Sequence, residues 1–368
     1  MPNWTRRDLL RTGLGIAAAT VLPPPLANAL ERTAPAAEPP PPLELLPAAA
    51  SPRQRLLLDA DWKFHLGDAD DPAHDFGFGS NDAFAKVGGD LFPGMSRRKF
   101  DDADWRSVTL PHDWAVELPF VDETRLLGHG YKPLGREHPA TSIGWYRRTF
   151  DLSADDANRR ISLEFDGVYR NAMVTLNGHY LGRNLSGYAP FAFDVSTVAN
   201  FGAPNVLVVR VDATENEGWF YEGAGIYRHV WLVKTHPMHV PQWGVFVRSE
   251  VPARNGKAAN AALIIATEIA NDSAASAECR VISEIRDPSG HVVANAHSAS
   301  TSVEPGAQAS VEQRATVAAP ALWSLEAPRL YTLVTSIISN SGALLDRCES
   351  PFGIRDIRFD PNEGFFLN

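Results

Sequence analysis

Residues 161–178, with the sequence ISLEFDGVYRNAMVTLNG, decide the fold class. Residues 161–166 alternate apolar and polar side chains, which is the pattern of a strand with one face in a protein core. A second run, 172–176, leads into Asn177-Gly178, a dipeptide typical of a two-residue hairpin turn. This stretch therefore predicts antiparallel strands and not a helix.

Further strands with intervening turn residues follow along the chain, as in antiparallel β-sandwiches. They are predicted at 206–209, 229–233, 245–251, 263–271, 280–286, 311–317 and 331–339. Near Val240 the composition changes from aromatic and charged residues to Ala, Ser, Val and Ile. We therefore predict an all-β chain, with one sandwich over 53–238 and a second, of the size of an immunoglobulin-like domain, over 239–357.

The composition excludes several classes of protein. Of 368 residues, 44% are hydrophobic and 21% charged, which is ordinary for a globular protein and not for a disordered chain. The net charge of −10 argues against nucleic-acid binding, which needs a basic face, and is compatible with a neutral partner such as a sugar. The two cysteines, Cys279 and Cys348, exclude a disulfide-dense fold; free buried thiols are the favoured interpretation, and one bridge stays open.

The N-terminus has the order of an export signal. Arg6-Arg7 precedes a short apolar run, and Ala27-Asn28-Ala29 is typical of a cleavage site, so residues 1–29 resemble a twin-arginine signal peptide. An ordinary amphipathic helix is the alternative. Residues 30–52 are rich in Pro and Ala and predict a linker. No stretch reaches the roughly 20 apolar residues of a membrane-spanning helix. From the export signal we expect a periplasmic or secreted protein.

Four clusters combine aromatic and polar residues: 111–117, 129–133, 142–150 and 219–228. Aromatic faces pack against the C–H groups of sugar rings, while charged and amide groups bind the hydroxyls. Loops at one end of a sandwich can bring such groups together. The clusters therefore favour a carbohydrate site.

The order of these clusters resembles the N-terminal half of members of glycoside hydrolase family 2. Their residues are most similar to those of the β-galactosidase branch. The matching pieces are PHDW (111–114), GWYRRTF (144–150), FDGV (165–168), VTLNG (174–178), GYAPF (187–191) and GAGIYR (223–228). The resemblance implies a galactose-binding-like jelly-roll sandwich followed by an immunoglobulin-like sandwich. In the family a (β/α)₈ barrel with both catalytic glutamates comes next, and residues 358–368 are similar to the lead into it.

The resemblance implies that loops of the first domain help to shape the sugar pocket. The implied substrate-binding residues are His129, Tyr131, Lys132, Trp219, Tyr221, Glu222, Asp113 and Trp114. No catalytic residue, metal ligand or cofactor site is expected, because the catalytic glutamates belong to the barrel. Gly218 stands where many members have a basic residue, which leaves the sugar open.

Several of these residues also have a purely structural interpretation. Trp145, Tyr146 and Phe150 are expected in the core, and Arg228 is expected to pair with a carboxylate of its own domain. Asp113 has the alternative role of capping a turn before Trp114. By the same strand alternation, Glu164 is expected on a solvated face.

Two functional hypotheses follow. The first is that the chain is part of an exported β-galactosidase-like hydrolase, binds a β-galactoside-like carbohydrate, and is inactive alone. The second is a stand-alone protein that binds carbohydrate without cleaving it. Under both we expect no nucleic-acid partner and no membrane association after signal removal, while association through the sandwiches remains open.

Overall fold

The computed structural model describes residues 52–68, 99–122, 130–215, 223–252 and 259–368. Strands dominate these residues, and the helices are single turns: a 3₁₀ turn at Trp114–Glu117, α1 at Pro139–Ser142 and a 3₁₀ turn at Ala154–Asn158. Among the residues described, none of the helices is long and apolar enough to cross a membrane. The predicted export signal and the linker lie outside the described residues.

The first part of the described chain contains twelve strands. They are β1 (Gln54–Leu57), β2 (Trp62–Leu66), β3 (Arg106–Val108), β4 (Val121–Asp122), β5 (Gly130–Tyr131), β6 (Ile143–Asp151), β7 (Arg160–Phe165), β8 (Ala172–Leu176), β9 (His179–Asn184), β10 (Phe191–Asp194), β11 (Pro204–Asp212) and β12 (Val230–Thr235). One sheet has the order β1-β12-β7-β10 and the other β3-β2-β6-β11-β8-β9, with antiparallel neighbours throughout. The strands β4 and β5 form a separate short ladder.

Alternation along the strands builds the core of this jelly-roll sandwich. On β7 the residues Ile161, Leu163 and Phe165 are fully buried, as expected when every second side chain of a strand points inward. Strand β6 is buried on both faces. Tyr146 and Phe150 join the core, while Trp145 joins a smaller apolar cluster with Trp105, Val206 and Val208. The core positions predicted for Trp145, Tyr146 and Phe150 are thus confirmed.

The second part forms the immunoglobulin-like sandwich. Its strands are β13 (Met238–His239), β14 (Val245–Glu250), β15 (Asn260–Asn271), β16 (Ala277–Arg286), β17 (Val292–His297), β18 (Thr301–Val303), β19 (Gln308–Ala318), β20 (Tyr331–Ser339) and β21 (Leu344–Phe352). In one sheet β15 pairs with β13, β14 and β19, and in the other β16 pairs with β17, β18 and β20, which pairs with β21. The all-β fold class is therefore as predicted.

Cys279 and Cys348 are both free. Cys279 lies on β16 and Cys348 on β21, with β20 between those strands. Burial raises the pKa of Cys348 to about 11, so the thiol keeps its proton at neutral pH. The favoured interpretation of free thiols agrees with this arrangement.

A last hairpin joins β22 (Ile357–Asp360) to β23 (Gly364–Leu367). It presents aromatic side chains to solvent, with Phe359 78% and Phe365 57% exposed. The guanidinium of Arg358 covers the Phe366 ring at 4.0 Å. This cation–π contact shields one face of an apolar ring.

One sequence-based expectation is wrong. Glu164 does not lie on a solvated face, because Arg55 of β1 extends over it from 3.4 Å and leaves it only 8% exposed. The error concerns a side chain whose surroundings come from a distant part of the chain. Arg228 is exposed, and its pairing with a carboxylate stays a prediction.

Candidate functional site

Two of the predicted clusters meet in the structure. The amide of His112 donates to the carbonyl of Ile226 at 2.8 Å, and the amide of Trp114 donates to the carbonyl of Ala224 at 2.9 Å. We call the two segments, 111–117 and 223–228, the loop junction. It brings together residues more than 100 positions apart, directly beside the cluster residues 219–222.

Asp113 is the polar centre of the loop junction. Its Oδ1 accepts hydrogen bonds from the amides of Ala115 at 3.0 Å and Ala224 at 2.8 Å. The first bond caps the 3₁₀ turn, so the capping role considered from the sequence is real. No described residue donates a hydrogen bond to Oδ2, and the Asp113 side chain is partly exposed.

Gly223 packs closely against this oxygen. A Cβ at position 223 would lie 2.7 Å from Oδ2 of Asp113, so a side chain there would require a shift. The absence of a side chain therefore lets residues 223–226 approach the Asp113 carboxylate, which remains partly exposed. The segment is held from the other side by Gly225, which exchanges two backbone hydrogen bonds with Tyr169 at 2.7 and 2.9 Å.

Trp114 has a different place from the one the resemblance implies. Its side chain is 1% exposed and packs on Phe64, with ring centroids 5.4 Å apart. The indole N–H donates to the carbonyl of Thr141 at 2.8 Å. With no ring face open, Trp114 supports the loop junction from the core and does not reach a sugar as placed here.

Lys132 is also occupied by the protein itself. Its Nζ donates to the carbonyls of Leu118 and, at 3.2 Å, Val116, and lies 4.2 Å from the centre of the Phe120 ring. An ammonium group has three protons, and these two carbonyls accept two of them. Lys132 thus holds segment 116–120 in place, and this loop-holding role is what the structure supports.

The other predicted residues cannot be placed. His129, Trp219, Tyr221 and Glu222 lie outside the described residues, and of Tyr131 only the backbone in β5 is described. Their chain neighbours are informative, because Glu222 directly precedes Gly223 at the loop junction. Their role in sugar binding stays a prediction.

Sequence reasoning missed a polar network behind Asp113. His112 is 8% exposed, and its Nδ1 lies 2.7 Å from the hydroxyl of Tyr146. Its Nε2 lies 2.7 Å from Nη2 of Arg106 and 3.3 Å from Oε1 of Glu117. The signal available in the sequence was the position of His112 beside Asp113. Its partners on β3 and β6 are set by the fold.

Within the part of the chain that the structure describes, no three His, Cys, Asp or Glu side chains are grouped closely enough to hold a metal ion. The polar groups described at the loop junction act through hydrogen bonds. Asp113 supplies an acceptor, fixed by two backbone amides, at the edge of a rigid sandwich. Such a group binds and orients a polyhydroxylated ligand.

The fold defines a class: a jelly-roll sandwich followed by an immunoglobulin-like sandwich. Family models give the same division. Residues 131–236 match the sugar-binding domain of glycosyl hydrolases family 2, and residues 243–355 match a second model of the same family. The chain belongs to glycosyl hydrolases family 2.

Individual relatives agree with the family. A β-galactosidase of Bacteroides ovatus is 40% identical over 322 residues, covering 86% of this chain and 33% of that protein. A β-glucuronidase of Formosa agariphila is 30% identical over 286 residues, covering 73% of this chain and 28% of that protein. A solved family 2 β-glucuronidase superposes with a TM-score of 0.71 at 26% identity, covering 88% of this chain and 32% of that one. The chain thus spans about a third of the length of these relatives.

Proposed function

We propose that this chain supplies the sugar-binding and immunoglobulin-like domains of an exported family 2 glycosidase that hydrolyses β-galactosides. The family and the 40% identity to a β-galactosidase support the reaction class. Export is supported by the sequence of residues 1–29, through a twin-arginine-type signal to the periplasm or beyond. The domains bind and orient the sugar, and by the family resemblance the two catalytic glutamates lie on a barrel domain.

The observation that carries this proposal is the position of Asp113. Two backbone amides fix one carboxylate oxygen, no described residue donates to the other, and the side chain is partly exposed. A pre-ordered acceptor binds a hydroxyl without the entropy cost of being immobilised at that moment. Trp219, Tyr221 and Glu222, which lead into Gly223, are proposed to complete the sugar contact.

The charge of this acceptor favours a neutral sugar. A glucuronide carries its own carboxylate, and two like charges at close range repel each other. Galactosides carry no charge. We therefore propose a β-galactoside as the substrate, although β-glucuronidases are among the relatives.

The test uses the native protein, captured from its source cells with an antibody against residues 53–238. The captured protein is assayed with 4-nitrophenyl β-galactoside and 4-nitrophenyl β-glucuronide, and the chain of 368 residues is assayed alone in parallel. We expect hydrolysis of the galactoside by the captured protein and none by the chain alone. Faster hydrolysis of the glucuronide would overturn the substrate, and sugar binding without hydrolysis would favour a stand-alone binding protein.

Asp113→Asn tests the named residue within the same hydrolysing protein. The amide keeps an acceptor for the cap but removes the charge, so kcat/KM for the galactoside should fall about tenfold, the loss of a charge-assisted hydrogen bond of about 1.4 kcal/mol. Asp287→Asn is the matched control, because Asp287 lies in an exposed turn of the second sandwich. An unchanged kcat/KM in Asp113→Asn would remove Asp113 from the site.

A further inference from the structure

The hydrogen bonds around His112 determine where its proton lies. Nη2 of Arg106, 2.7 Å from Nε2, belongs to a guanidinium, which can only donate. The guanidinium nitrogen is nearer to Nε2 than the Glu117 oxygen at 3.3 Å, so we assign Nε2 as the unprotonated acceptor, and in a neutral ring the proton is then on Nδ1. That proton is donated to the hydroxyl of Tyr146 at 2.7 Å. The ring is thus set in one tautomer by a partner on each side.

Tyr146 passes this constraint to the loop junction. Its oxygen accepts a hydrogen bond from the amide of Ile226 at 3.4 Å, and its proton points to the carbonyl of His112, also at 3.4 Å. Burial holds the pKa of Tyr146 well above its ordinary value, so the hydroxyl keeps this proton. One phenol therefore contacts both segments of the loop junction from beneath.

We propose that His112, in its neutral Nδ1–H form, is a positioning residue that holds Asp113 and residues 223–226 in the sugar-binding geometry, and that protonation of its ring loosens them. The link to sugar binding rests on the proposed function. The hold on the loop junction is a property of the chain itself. His112 touches no substrate and acts through Tyr146 and the backbone on either side of Asp113.

Burial of the ring opposes its protonation. A proton on Nε2 would face the guanidinium of Arg106, and the acceptor for it among the described residues is Oε1 of the exposed Glu117. The other faces of the ring meet Phe64, with centroids 4.7 Å apart, and Tyr146, while Asp113 is its chain neighbour. Burial is the largest effect and lowers the pKa of His112; the negative charges of Glu117 and Asp113 partly counter it, and the positive charge of Arg106 adds to it.

The sign of the pH effect follows. An opened loop junction exposes His112, which then regains its ordinary pKa of 6.5, above that of the closed form. The open form therefore binds protons more tightly, and acid favours opening. The hold is complete above about pH 6.5 and is lost as the pH falls toward the lowered pKa of the closed form.

The chain itself is used for the first test, with histidine labelled by ¹⁵N and amide hydrogen exchange followed by NMR. At about pH 8, above the ordinary histidine pKa, the His112 ring should show a protonated Nδ1 and a bare Nε2. Between about pH 8 and pH 5.5, protection of the amides of His112, Ala224 and Ile226, corrected for intrinsic exchange rates, should fall, by up to about tenfold. The opposite tautomer, or constant protection, would overturn the proposal.

Matched variants separate positioning from general stability. In His112→Asn the amide nitrogen replaces Nδ1 as donor to Tyr146 but does not titrate, so protection should be retained and no longer change with pH. His239→Asn is the control, because burial also lowers the pKa of His239 but it lies on β13 of the second sandwich. His239→Asn should leave the pH dependence at the loop junction unchanged. A pH dependence that persists in His112→Asn would contradict the assignment.

The glycosidase provides the second readout. In the captured hydrolysing protein, kcat/KM should decline on the acid side in wild type, and His112→Asn should reduce that decline while Asp113→Asn lowers the whole profile. If the captured protein does not hydrolyse the galactoside but the exchange results hold, the proposed function fails and the hold of His112 on the loop junction stands; if only Asp113→Asn has no effect, Asp113 is removed from the sugar site. If the exchange results fail, the positioning role is lost whatever the kinetics show.

Discussion

Gly225 lies where the two segments of the loop junction approach most closely. Its φ of +134° is outside the range that residues with side chains commonly adopt. A Cβ there would lie 2.4 Å from the carbonyl oxygen of His112 and 2.6 Å from the hydroxyl of Tyr146. Gly225, the second glycine of the GAGIYR motif, is thus required by its backbone conformation and by the lack of space for a Cβ.

Gly225→Ala should therefore destabilise the chain for two reasons, the backbone conformation and the steric overlap. Each costs on the order of 1–3 kcal/mol. Gly290→Ala is the control, because Gly290 also has a positive φ, +87°, but nothing lies within 4 Å of its Cβ position. Urea unfolding should show Gly225→Ala to be less stable than Gly290→Ala by about 1–3 kcal/mol. Equal losses in the free energy of unfolding would mean that the loop junction accommodates the added methyl group without steric strain.

Single residues also show how far the candidate site could be predicted. The capping role of Asp113 was anticipated from the sequence, because an Asp before an aromatic residue in a turn is a local pattern, whereas its role in sugar binding stays a prediction. Trp114 and Lys132 were not assigned their observed roles, because the same side chains suit a sugar site, a core or a loop contact. What decides is the covering group: Phe64 for Trp114 and the carbonyl of Leu118 for Lys132. The sequence alone does not show which groups pack against these side chains.

Among the elements, the β8–β9 hairpin was the best predicted, and it contains a role that was not. Asn177 and Gly178 form the two-residue turn, with φ of +52° and +85°. The buried Asn177 side chain also donates to the carbonyl of Val198 and to Oδ1 of Asn205, and accepts from the amide of Val206, all at 2.9 Å. The turn residue therefore ties the hairpin to the start of β11.

Asn177→Ala should lose these hydrogen bonds and strain the turn, and should reduce the free energy of unfolding by about 2–4 kcal/mol. Asn177→Gly separates the two effects, since glycine accepts the positive φ but makes no side-chain bond. The glycine variant should recover about 1 kcal/mol relative to the alanine variant in chemical unfolding. If both variants unfold like wild type, the buried amide contributes nothing to the hairpin's attachment.

Strand positions were predictable because the apolar alternation is local, as in β7 and β20. The solvent exposure of the outer faces of these strands was not predictable from the sequence. Glu164 points outward as the alternation requires, yet Arg55 covers it, from a strand 109 residues earlier in the chain. Sheet order decides such contacts, because β12 pairs with both β1 and β7 and so places them in one sheet, one strand apart. A single sequence without pairing information leaves that order open.

At the scale of the whole molecule, one buried ion pair links the entry of the first sandwich to the second. Nε and Nη2 of Arg53 donate to the two oxygens of Asp346 at 3.0 and 2.7 Å. Asp346 lies on β21, is fully buried, and also accepts from the amide of Val240 at 2.8 Å. The bidentate geometry makes this a directional contact between segments almost 300 residues apart.

Removing one partner should cost more than removing both. In Arg53→Met a buried carboxylate loses its counter-charge, and the chain should lose about 3–5 kcal/mol of stability. In the double variant Arg53→Met/Asp346→Asn no charge is left unpaired, and the amide oxygen still accepts from Val240, so much of this loss should be recovered. Arg314→Met is the control, because its pair with Glu312 is exposed and is worth about 1 kcal/mol or less. The measurement is the free energy of unfolding in guanidinium for wild type, Arg53→Met, the double variant and Arg314→Met. A double variant no more stable than Arg53→Met would show that the pair acts through packing and not through charge.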